Sequence, residues 1–99
     1  MTQLERIGKM EQALDRLNLS LRHLSDALDE YESTSDALRE LSAYYGSQEW
    51  RQDFEADEAG ELPPQLKRGV LSEDGIWSAL EKRKELTNRM HDLAANAVN

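Results

Sequence analysis

The chain has no cysteine in its 99 residues. That excludes disulfide frameworks, zinc fingers, iron–sulfur ligation and thiol nucleophiles. It has no apolar run near 18 residues, so no transmembrane helix is expected. Its first residues, MTQLERIGKMEQALDR, alternate charged with apolar side chains and lack the apolar stretch of a signal peptide, which makes the cytoplasm the expected location. Positive charge is scarce: 12 Lys and Arg stand against 20 Asp and Glu, for a net charge of −8. That balance argues against a nucleic-acid backbone or an anionic membrane as partner, since both are polyanions. The sequence also contains no GxGxxG, no P-loop and no GxSxG. Proline is confined to one adjacent pair, Pro63-Pro64, and Gly to five positions, so most of the chain is free to be helical.

What is present is a stripe. Ile7, Met10, Leu14, Leu17, Leu21, Leu24, Leu28 and Tyr31 follow one another at spacings of 3 and 4 without a miss. That is the a/d signature of an amphipathic helix over about 2–32, roughly 45 Å long at 1.5 Å per residue. The g positions are Ala13, Ser20 and Ala27, where two-stranded parallel coils place charges. Small residues there favour packing in an antiparallel hairpin or bundle. Leu19, at an f position, is the one large apolar residue on the opposite face.

Ser33-Thr34-Ser35-Asp36 interrupts the pattern, because these side chains compete for backbone hydrogen bonds. A short helix is expected over about 35–45 with Gly46 beyond its end, and another over 48–58, capped by Ser47 and closed by Gly60. A continuous helix bent at 33–36 is the alternative. Residues 61–71, with the two prolines, form a stiff connector. Ser72 then predicts an N-cap, Glu73 and Asp74 a favourable first turn, and Leu71 with Ile76 a hydrophobic staple for a last helix over about 73–95. The expected fold is all-α: residues 1–99 as one domain, an antiparallel hairpin or bundle of two long helices whose end is capped by the short ones.

Charge and aromatics concentrate in the middle. Residues 44–75 carry 3 basic and 8 acidic groups, net −5, whereas residues 76–99 carry 4 and 3, net +1. Tyr44, Tyr45, Trp50 and Phe54 lie in that acidic stretch and Trp77 just past it. Together they predict a small aromatic core sealing the end of the bundle, or a partner-binding patch. Glu49, Asp53 and Asp57, four apart, make a column of like charge on a helix, and each repulsion costs a few tenths of a kcal/mol. Three neutralisers are open. Lys67 and Arg68 can fold back onto the column, water can solvate it, or a cation can bind Glu49, Asp53, Asp57 and Glu58. Asp53-x-Glu55-x-Asp57 begins like a calcium loop, but Glu58 stands where glycine is needed and Pro64 where the last glutamate is needed. Glu58-x-x-Glu61 has no Glu-x-x-Asp on the last helix to complete a pyrophosphohydrolase metal motif, and neither His23 nor His91 follows a Glu by three.

Tyr44-Tyr45-Gly46-Ser47-Gln48-Glu49-Trp50, then Asp53, Glu55, Asp57, Glu58 and Gly60, then Leu62-Pro63 and Leu66-Lys67-Arg68-Gly69-Val70-Leu71-Ser72-Glu73-Asp74, resemble the signature of a bacterial family known as domain of unknown function 4298. The resemblance covers nearly the whole chain. It implies a small, cytoplasmic, helical protein with no established activity and carries over no catalytic residue. Taken together, these features predict a non-enzymatic module without cofactor that binds a protein partner or itself. The interaction candidates are Tyr45, Trp50, Asp53, Phe54, Asp57, Lys67 and Arg68. The alternatives are a metal-binding, even hydrolytic, acidic segment over 49–61 and an acidic neutraliser of a basic partner.

Overall fold

The structure is a computed structural model that describes residues 2–72 and 74–97. Among the described residues the regular structure is all helical, without strands, and no described helix is long and apolar enough to cross a membrane. The chain divides into two units, Met1–Asp36 and Ala37–Asn99.

The first unit is built on α1 (Gln3–Ser33). Thr2 caps it: its hydroxyl oxygen accepts the amide of Glu5 at 3.1 Å, and Glu5 complements the helix dipole. None of its residues is buried. Leu14, Leu17, Leu21 and Leu24 of the stripe are all half exposed, as is Leu19 on the far side. The helix ends at Ser33. The hydroxyls of Ser33, Thr34 and Ser35 donate in succession to the carbonyls of Glu30, Tyr31 and Glu32, at 2.5, 2.7 and 2.9 Å. These bonds compete with the helical ladder, and Thr34, at φ −90° and ψ 5°, leaves it. The interruption is one residue long, since α2 (Ser35–Tyr44) follows directly.

In the second unit α2 is succeeded by α3 (Gln48–Glu58), a single 3-10 turn (Gly69–Leu71) and α4 (Gly75–Ala95). Gly46 turns the chain at φ +78°, a conformation without steric cost only for glycine. Ser47 then caps α3, its hydroxyl accepting the amide of Trp50 at 3.1 Å. Gly60, at φ +71°, closes α3 in a Schellman arrangement: Gly60 N–H donates to Asp57 O and Glu61 N–H to Ala56 O. The 3-10 turn packs against both α3 and α4. Leu71 within it and Ile76 on α4 are the buried apolar residues among those described, 5% and 3% exposed. The expected staple residues are therefore the core of this unit.

The start of α4 differs from the sequence expectation. The helix opens at Gly75, with Asp74 as N-cap and no side-chain cap bond; Glu73 lies outside the described residues. Ser72 does accept an amide three residues on, that of Gly75 at 3.0 Å, but its hydroxyl also donates to Gly69 O at 2.8 Å. It serves the 3-10 turn and the helix at once, which delays the helix by two residues.

That arrangement requires glycine at position 75. A Cβ there would overlap the carbonyl oxygen of Gly69 and stand 2.5 Å from Ser72 Oγ. Gly75→Ala is expected to destabilise the unit by about 1–3 kcal/mol, although alanine is the better helix former. Urea denaturation followed by circular dichroism measures it, and an unchanged or raised midpoint would refute the close approach.

Candidate functional site

The acidic and aromatic residues singled out in the sequence fall on α3 and what surrounds it. Glu49, Asp53 and Asp57 share one helical column, and two of the three have partners from other segments. Asp53 Oδ2 accepts the Tyr44 hydroxyl at 2.6 Å. Asp57 Oδ1 accepts Arg68 Nη1 at 2.6 Å, an ion pair with both side chains mostly shielded. The same guanidinium donates from Nη2 to Pro64 O at 3.1 Å and from Nε to Leu66 O at 3.3 Å. Arg68 thus fastens the proline connector to α3. Of the two basic residues expected to fold back on the column, Arg68 is the one that binds it; Lys67 lies on the wall of a groove instead. Glu49 and Glu58 are exposed. No group of three or more acidic or histidine side chains among the described residues stands where it could hold a metal ion.

Nothing in the spacing of Tyr44 and Asp53 predicts their pairing. Half-burial, the hydrogen bond to Asp53, and the charges of Asp53 and Glu49 together push the Tyr44 phenol up to about 12. The folded state therefore holds this proton more tightly than the unfolded chain, whose tyrosines titrate near 10. The resulting stabilisation is complete below about pH 10 and is lost as pH rises towards 12. Asp53→Asn is expected to bring this titration down towards 10 in an ultraviolet phenolate titration. A tyrosine profile unmoved by the substitution would contradict the pairing.

Trp50 is the centre of the aromatic cluster. Its ring stacks on Phe54 at a centroid distance of 5.2 Å and meets Tyr45 edge-on at 5.9 Å. Its indole Nε1 donates to Val70 O at 2.9 Å, tying α3 to the 3-10 turn. The expected five-ring core is thus a three-ring cluster. Tyr44, one residue before Tyr45 and so about 100° away around the helix end, turns to Asp53. Trp77 is 52% exposed, because its neighbour Ile76 takes the inward face of α4.

Beside this cluster lies a groove of about 470 Å³ lined by Leu41, Lys67, Gly69, Val70, Gly75, Ile76 and Ala79. Lys67 is the one charged residue among those lining it. Sequence reasoning missed the groove. Two glycines, Gly69 and Gly75, are among its lining residues. No curated protein and no solved structure matches this chain. The family model for Domain of unknown function (DUF4298) matches residues 7–93, spanning both the heptad stripe and the clamped acidic–aromatic segment, and the chain belongs to that family.

Proposed function

We propose that this protein is a non-enzymatic helical interaction module that binds through the apolar stripe of α1, covered in its working state by a helix lying antiparallel to it. The observation that carries the reading is the stripe itself: from Ile7 to Leu28 seven large apolar side chains recur without a break, each 38–55% exposed. Isolated helices are marginal in water, and most helical stability comes from packing one apolar face. Fully burying each such side chain contributes about 1.5–3 kcal/mol. The acidic segment has a structural use in this reading, since Asp53 and Asp57 hold Tyr44 and Arg68. The hairpin expected from the sequence, with α4 covering α1 inside one chain, is the competing occupant of the stripe.

Site-specific photocrosslinking in the cells that make the protein tests the interaction. A photoreactive residue at Leu24, on the stripe, is expected to give an adduct heavier than the monomer. The same residue at Asp26, on the opposite face, is expected to give none. No adduct from Leu24, or equal adducts from both faces, would refute the proposal.

A further inference from the structure

We infer that the occupant of the α1 stripe is α1 of a second copy of this chain, laid antiparallel; this rests on reading the stripe as an interaction surface. Symmetry permits the match. The 3 and 4 spacings of the stripe read the same in both directions, so turning the helix end over end places the stripe on itself. Leu17 comes level with Leu21 of the other copy, Leu14 with its Leu24, and Met10 with its Leu28.

Charge selects the direction. The half of α1 up to Leu19 is balanced, with Arg6, Lys9 and Arg16 against Glu5, Glu11 and Asp15. The half from Ser20 on holds Asp26, Asp29, Glu30 and Glu32 against Arg22 alone. Those acids approach the negative end of the helix dipole, and the last turn has no basic residue to offset them. A helix selected to stand alone would not place them there. An antiparallel copy lays the balanced half of α1, with its positive helix end, beside the acidic run. A parallel copy lays the acidic run along itself.

The flanks agree. Across an antiparallel seam g positions face g positions, so Ala13 meets Ala27 and Ser20 meets Ser20, and the two backbones can approach closely. In a parallel pair the g positions face the following e positions, where Ala13 would meet Asn18, Ser20 would meet Ser25 and Ala27 would meet Glu32, so that Arg6 with Glu11 is the one charge pair set against two acidic runs lying side by side. The area fits a weak dimer. A strip about 46 Å long and about 10 Å wide on each helix gives about 900 Å² in total, the size of a weak, concentration-dependent interface.

The native absence of cysteine makes the test direct. Full-length Met10→Cys and Leu28→Cys variants are oxidised separately and as a mixture. The expected result is a disulfide-linked dimer from the mixture and none from either variant alone. A dimer from either variant alone, in the yield of the mixture, would overturn the antiparallel pairing. Because cysteine in the stripe can itself weaken the helix, the charge reversal Arg6→Glu with Lys9→Glu supplies a second reading: it makes the balanced half acidic and lays it beside the acidic run. It is expected to weaken self-association at low salt by sedimentation and to weaken it less at high salt, and an unchanged dimer at low salt would overturn the proposal.

A native chain that stays monomeric, with no cross-link in the mixture, overturns the second copy as occupant. The alkylation rate of Met10→Cys then separates the two readings. Rapid alkylation leaves the stripe bare for a different protein and keeps the interaction module. Slow alkylation means the stripe is sealed within one chain, and both readings fall together.

Discussion

Ile76→Ala is expected to remove about 2–5 kcal/mol from the Ala37–Asn99 unit, the range for truncating a large apolar residue in a core. At 3% exposure Ile76 is one of two buried apolar residues among those described there, and its counterpart Leu71 sits in the 3-10 turn that Trp50 holds through Val70 O. A unit of this size is stabilised by only about 3–9 kcal/mol at usual per-residue values. The substitution therefore takes a large share of what holds α3, the turn and α4 together. Trp77→Ala, one residue away but 52% exposed, is expected to cost less than about 1 kcal/mol despite the larger side chain removed. Chemical denaturation followed at 222 nm compares the two. Equal losses would mean that the unit is not organised around its two buried residues, Leu71 and Ile76.

Leu17→Glu is expected to abolish association through α1, because it would put one carboxylate from each copy into the centre of an apolar seam. A buried, unpaired charge costs several kcal/mol, so affinity falls at least about a hundredfold. The informative control is Leu19→Glu. In the structure Leu17 is 54% exposed and Leu19 47%, so exposure alone gives the two substitutions similar effects. The heptad assignment separates them: position 17 lies on the seam and position 19 on the outer face, so Leu19→Glu should leave association unchanged. In both variants the Trp50 cluster of the second unit should keep its near-ultraviolet dichroism. Loss of association in both, or in neither, would contradict the assignment of the seam.

Much of the local structure was legible in the sequence because its signals act over a few residues. The 3-and-4 stripe marks α1, the Ser-Thr-Ser run marks its end, and Gly46, Ser47 and Gly60 punctuate the short helices by backbone chemistry that needs no distant partner. What escaped depends on segments meeting in space. Gly75 reads as an ordinary helix-terminal glycine until Gly69 O is found against it. Tyr44 and Asp53 are brought together around the Gly46 turn, a pairing nine residues apart that no periodicity reveals.

The acidic column was visible in the spacing, but not which base answers it. Arg68 does so because a guanidinium reaches a carboxylate and two carbonyls from one plane, whereas an ammonium offers a single point of charge. Trp77 misled because aromatic residues near a core are usually drawn into it. Here adjacent Ile76 already fills the inward position.

The central claim is that the α1 stripe is an interface between copies of this chain. Sedimentation equilibrium of the native full-length protein from about 10 µM to about 1 mM tests it most directly. The expected result is a mass that climbs from one chain to two with rising concentration, and that stays at one chain throughout for Leu17→Glu. A native protein that remains a single chain at the highest concentration, indistinguishable from Leu17→Glu, would contradict it.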